Sequence, residues 1–141
     1  MRRAQRSERG SAIVEFHFFG LLLMVPLIYV LLAVLDVQRA SYGVTQAARE
    51  AGRIFVATGN EEVARLAVQV ALTDQGLPPD SGDITIRCST SPCYQPGAEV
   101  TVTVGSVVRL PFVPEVLADA VNAEIPVNAT HASVIDRFRA L

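Results

Sequence analysis

The sequence contains no lysine and no tryptophan, and it has only two histidines, His17 and His131, and two cysteines, Cys88 and Cys93. Without lysine it has no Walker-type phosphate loop, so the chain cannot itself power a process by that route. No HExxH spacing and no GxSxG elbow occur, and two cysteines alone fall short of a metal site. A net charge of −2 gives no basic surplus for nucleic acid. Asp74, Asp80 and Asp83 gather near a loop rich in proline and glycine, where a solvated turn accounts for them. Catalysis therefore lacks a constellation to carry it. No enzyme activity, no cofactor and no nucleic-acid partner are expected.

The apolar half of the 141 residues is unevenly spread. The stretch Phe16 to Leu35 holds no Asp, Glu or Arg over its 20 residues. Twenty helical residues span about 30 Å, the hydrocarbon thickness of a bilayer. Arg2, Arg3, Arg6 and Arg9 precede it, offset only by Glu8. The positive-inside rule then keeps the leader in the cytoplasm and puts the C-terminal body outside. Pro26 interrupts the run, kinking the helix without ending it. A cleavable secretory signal competes with this reading, but its apolar region is shorter, roughly 7–15 residues. The following DVQRASYG also offers no convincing small-x-small site.

Leader and apolar run meet at Arg9-Gly10-Ser11-Ala12-Ile13-Val14-Glu15-Phe16. If the chain were cut after Gly10, Ser11 would become its first residue and Glu15 its fifth. A small pair at that point, a glutamate at the fifth place and an uncharged helix form the pattern of a type IV prepilin. On these residues the chain resembles the bacterial TadE-like family of minor pseudopilins, from the tight-adherence (type IVc) pilus system. The resemblance is specific over about Arg9 to Ala57. It implies cleavage between Gly10 and Ser11 by a prepilin peptidase, with the helix retained in the cytoplasmic membrane. It further implies that Glu15 pairs with the free N-terminal amine of a neighbouring pilin or pseudopilin subunit. Assembly would proceed on an inner-membrane platform driven by a separate ATPase. Pro26 stands farther from the glutamate than the proline of many family members.

Elementary electrostatics bears on the same residues. A carboxylate in the bilayer interior costs about 2.5–3.5 kcal/mol, so it normally meets a partner or water. After cleavage Ser11 would present an amine one helical turn from Glu15. The competing readings are that Glu15 merely marks the headgroup boundary, and that Gly10-Ser11 is a joint or a helix cap. His17, two residues on, points to another side of a helix and is read as a bystander.

Helical periodicity continues past the membrane. Val37, Ala40, Val44, Ala47, Ala48, Ala51, Ile54 and Phe55 recur at three- and four-residue steps. One helix from about Ala12 to Ala57 is expected, ending at Thr58-Gly59. Its alanine stripe would pack against other subunits, against the chain's own body, or against both at once. Asn60 reads as the cap of a second helix running to about Gln75, with Val63, Leu66, Ala67, Val70 and Ala71 as its apolar face and Gly76 as its stop. From Asp83 the period becomes two, in Ile84–Arg87 and again in Val100–Val104. Between these strands Cys88 and Cys93 are read as a disulfide pinning a hairpin loop, since such bonds persist outside the cytoplasm. Val107–Leu110 continues or follows the second strand. Glu115–Val121 is read as one or two helical turns, and Ala123–Ile135 as a strand that Pro126 confines to an edge.

The expected fold is thus α+β: a long transmembrane-plus-stem helix, a second helix and a small antiparallel sheet of about three strands. The expected organisation is a cleaved cytoplasmic leader (1–10), a single transmembrane helix in contact with membrane lipid (11–36) and an extracytoplasmic body (37–141). The function expected is that of a structural minor pseudopilin. The alternatives are an uncleaved, membrane-anchored binding domain and a small secreted enzyme or effector whose mature form begins beyond residue 36.

Overall fold

The computed structural model describes residues 8–111, 113 and 123–138, with side chains described from residue 12 onward. In chain order the elements are α1 (Glu8–Thr58), α2 (Glu61–Asp74), a 3-10 turn (Pro79–Ser81), β1 (Asp83–Cys88), β2 (Glu99–Arg109) and β3 (Glu124–Val134). The strands form one antiparallel sheet in the order β1-β2-β3. The architecture is therefore α+β, with a long N-terminal apolar helix, a second helix and a three-stranded sheet. The chain separates into two units, the first ending at Leu35 and the second running from Asp36. The expected turns at Glu115–Val121 lie outside the described residues.

In the first unit α1 is apolar on every side and buried on none. Phe16 and Phe19 are exposed, as are Leu23, Leu27 and Leu31. Water is a poor solvent for such a surface, whereas a bilayer satisfies it, because every backbone group is already bonded within the helix. The helix already includes Glu8, ahead of the expected Ala12, so Gly10 and Ser11 form neither a joint nor a cap. An interior glycine costs only about 1 kcal/mol relative to alanine, a penalty that so long a helix absorbs. Pro26 likewise lies inside α1, which does not end there.

In the second unit the stem half of α1 supplies one wall of the core. Ala40, Val44, Ala47, Ala48, Ala51 and Phe55 are buried, together with Val100, Val102 and Val104 of β2 and with Ile135. The periodic stripe read from the sequence is thus consumed by the chain's own body. Two glycines belong to the same face. A Cβ on Gly52 would stand 3.1 Å from Ser133 Oγ and 3.3 Å from His131 Cδ2, and one on Gly43 would stand 3.0 Å from Leu77 Cδ1. The helix lies close to its neighbours because these positions carry no side chain.

Asn60 caps α2 as expected, its Oδ1 accepting from the Glu62 and Val63 amides at 2.9 and 3.3 Å. Of the face expected for α2, Ala71 packs half-buried against the core, but the fully buried residues differ from expectation. Ala64, Val68 and Leu72 are buried, whereas Val63, Leu66 and Val70 are exposed. Both triplets follow helical spacing on this apolar helix, and periodicity alone does not say which faces the core. The choice is made by the entry through Gly59 and the exit through Gly76, both with positive φ, and by Gly82 packing directly beneath Leu72 and Val68.

The register explains how Pro126 is accommodated. Leu110 N–H donates to the Ala123 carbonyl and Ile135 N–H to the Ala98 carbonyl, at the two ends of β3. Bonded and non-bonded pairs alternate in an antiparallel ladder, so the bonded residues of β3 are the odd-numbered ones. Pro126, paired with Val107, falls at a non-bonded place where its missing N–H would point away from β2. It therefore sits in the edge strand without breaking the ladder. β2 runs through to Arg109, so Val107–Arg109 continue the strand.

A side chain at position 82 would collide with Leu72 Cδ1 and stand 3.3 Å from Val68 Cγ1. Gly82→Ala is expected to destabilise the body by about 1–3 kcal/mol through overpacking, and Leu72→Ala by about 2–5 kcal/mol through loss of a buried side chain. The double variant should lose less than the sum, because Leu72→Ala removes the colliding methyl. Urea denaturation of the full chain in detergent measures the cycle, and strict additivity would refute this packing.

Candidate functional site

The residues singled out at the helix boundary all lie on α1. Gly10 and Ser11 are within its first turns. Glu15 is exposed and, among the described residues, has no ion-pair partner in its own chain. It lies four residues beyond Ser11, a rise of about 6 Å along the axis. The carboxylate therefore stands at the start of the uncharged, uncovered run of α1, exposed outside the chain's own contacts. His17 is engaged elsewhere: its Nδ1 donates to the Ile13 carbonyl at 3.0 Å, since a carbonyl only accepts. That bond ties Nδ1 to its own helix, and among the described residues no hydrogen bond joins His17 to Glu15.

The stem presents a different surface opposite its buried stripe. Tyr42, Gln46, Arg49 and Arg53 follow one another along the exposed side. Because the alanines are already covered, the surface that the stem leaves exposed here is mainly polar. Arg53 grips Glu50 there, with Nε 3.1 Å from Oε2 and Nη2 2.6 Å from Oε1. The hydrogen bonds from Arg53 are the main cause holding the Glu50 carboxyl below its ordinary range, and the guanidinium charge adds to them.

At the far end of the stem, Cys88 and Cys93 are disulfide-bonded with their Cα atoms 5.3 Å apart. The loop they close delivers Tyr94 to the end of α1. The Tyr94 hydroxyl donates to the Val56 carbonyl at 3.1 Å, and its ring meets Phe55 edge-on with centroids 6.5 Å apart. A Cβ on Gly59 would touch the same ring at 3.2 Å. The hairpin loop thus caps the C-terminal end of the stem, where helix carbonyls would otherwise need water. Sequence reasoning found the cysteines but not this role of Tyr94, because nothing local links residue 94 to residue 56.

Sequence reasoning also passed over a cavity. Asp36 and Arg39 of α1, Leu77, Asp80, Arg109 and Glu124 help to line an open hollow of about 630 Å³. Asp80, expected in a solvated turn, is one of its lining residues. These residues come from distant parts of the chain, and only the closing of β3 onto β2 brings Glu124 within 3.2 Å of Arg109.

Comparison with known proteins finds no matching family model, no matching curated protein and no matching solved structure.

Two outcomes follow for the loop and one for the stem. Replacing both cysteines by alanine should cost about 2 kcal/mol, as expected for so short a loop. Tyr94→Phe should cost about 0.5–1.5 kcal/mol through the lost hydrogen bond to Val56. Denaturant titrations of the full chain under non-reducing conditions measure both, and an unchanged midpoint for Tyr94→Phe would refute the cap. Because the Glu50 value is lowered on folding, its stabilisation is present above the ordinary carboxylate range and is lost as pH falls through the lowered value. Arg53→Gln should therefore flatten the acid limb of the stability curve while leaving its shape near neutral pH unchanged.

Proposed function

We propose that the chain is a TadE-like minor pseudopilin, a structural subunit that takes part in assembling a type IVc pilus or a related secretion machine. The observation that carries this reading is the joint occurrence, within Arg9–Phe16, of a basic leader, the small pair Gly10-Ser11, Glu15 at the fifth place and an uncharged span. Each part has an ordinary explanation by itself, and the combination in that order is what the prepilin pattern requires.

In this reading a prepilin peptidase cuts after Gly10 and frees the amine of Ser11. The helix stays in the cytoplasmic membrane with its N-terminus on the cytoplasmic side, and the α+β body stands outside. Glu15 then pairs with the Ser11 amine of an adjacent subunit, which offsets the cost of a carboxylate in the membrane and sets the stagger between subunits. The bond between Cys88 and Cys93 accords with an oxidising compartment for the body. Assembly energy comes from a separate ATPase acting through an inner-membrane platform.

An uncleaved, anchored extracytoplasmic binding domain is the second reading. One observation favours it: α1 runs without a break through Gly10 and Ser11, whereas proteases act most readily on extended, exposed chain.

The deciding measurement is the N-terminal residue of the protein recovered from host membranes, read by intact-mass spectrometry. Cleavage predicts a start at Ser11, lost when Gly10 is changed to Val, with the apolar helix retained in both forms. A start at Met1 would replace the pseudopilin reading with the anchored domain, and a start beyond Leu35 would overturn both. In cleaved protein, Glu15→Gln should abolish recovery of the subunit in assembled filaments while leaving cleavage intact.

A further inference from the structure

We propose that the cavity beside Asp36 binds the headgroup of a zwitterionic phospholipid of the phosphoethanolamine type. Its volume of about 630 Å³ lies within the roughly 300–1,000 Å³ typical of ligand sites. The floor is apolar, with Leu77 and Val108 buried. The rim carries both signs of charge, drawn from α1, the 3-10 turn, β2 and β3. Asp36, Asp80 and Glu124 there outnumber Arg39 and Arg109.

The pairing on the rim is incomplete. Arg39 Nη2 lies 3.4 Å from Asp36 and Arg109 Nε lies 3.2 Å from Glu124. Each arginine commits one nitrogen to these pairs, and a guanidinium has further donors for a phosphate oxygen. Asp80 has no cationic partner among the described residues. Gly76, at the carbonyl end of α2, also lines the cavity, and that end of a helix attracts positive charge. Arginine donors beside an unpaired carboxylate match a ligand with both a phosphate and an ammonium. The surplus of negative charge disfavours a headgroup that is only anionic.

Sequence position supplies the lipid. Asp36 directly follows Leu35, the last residue of the uncharged run, and Asp36 to Arg39 rises about 4.5 Å along the helix. The headgroup layer outside each face of the hydrocarbon core is about 5–7 Å thick. Asp36 and Arg39 thus follow the apolar run within a chain distance comparable to the headgroup layer. The proposal rests on that membrane reading and goes beyond it, since an anchor by itself needs no headgroup preference.

The test uses the full chain in two steps. Flotation with vesicles of phosphatidylcholine, phosphatidylethanolamine or phosphatidylglycerol reports anchoring, and native mass spectrometry from detergent reports retained lipid. The expected result is flotation with all three vesicles and about tenfold greater retention of phosphatidylethanolamine than of phosphatidylglycerol. Arg39→Gln should lower retention of both lipids, whereas Asp80→Asn should selectively reduce the preference for the ethanolamine lipid. Unchanged thermal melts of both variants exclude misfolding. Flotation with equal retention of the two lipids, or a preference unaltered by both variants, overturns the headgroup site and leaves the anchor standing. Failure to float overturns the anchor and the site together. Displacement of the lipid by an equal concentration of free phosphoethanolamine would also overturn the proposal, by showing a soluble ligand.

Discussion

The burial of the stem against the sheet is the contact on which the rest of the body depends. Ala40, Val44, Ala47 and Ala51 of α1 share one buried core cluster with Val100, Val102 and Val104 of β2. Side chains this small bury little area each, so the interface gains through closeness: many short dispersion contacts over a flat surface. Gly43 and Gly52 extend the same principle to positions where even a methyl would crowd Leu77 or Ser133. A bulky residue in this stripe would lift the helix from the sheet and expose the valines of β2. Everything downstream is arranged around that approach, including the Asn60 cap, the seat of Leu72 over Gly82 and the Tyr94 clamp at the end of α1.

The same helix obeys two solvents. Before Asp36 its described surface is almost entirely apolar and uncovered, which a lipid environment would satisfy at low cost. Beyond Asp36 it is apolar on one side and polar on the other, as a helix at the edge of a water-soluble body should be. Charge changes at that point as well. Asp36 and Arg39 form an i,i+3 pair, the first of several exposed pairs along α1 and α2. Such pairs contribute little stability. Their effect is to keep these surfaces wet and to confine the apolar surface to where it is used.

Much of this could be read along the chain. The length of the uncharged run, the stem stripe, the Asn60 cap, the stop at Gly76 and the alternating strands are local patterns, and each is observed. The errors share one cause. Val63, Leu66 and Val70 have the spacing of a buried face, yet they are exposed because α2 has two apolar stripes and only its neighbours select one.

The sequence by itself determined the elements, the membrane-length segment and the place where the basic leader meets it, because those depend on composition and short-range spacing. Tertiary structure alone decided which stripe of α2 is buried, that Tyr94 closes the stem through Val56, and that Asp36, Arg39, Asp80, Arg109 and Glu124 surround one cavity. The physical reason is that burial and charge proximity depend on distances between residues far apart in the chain. Those distances exist only after the sheet has folded onto the helix.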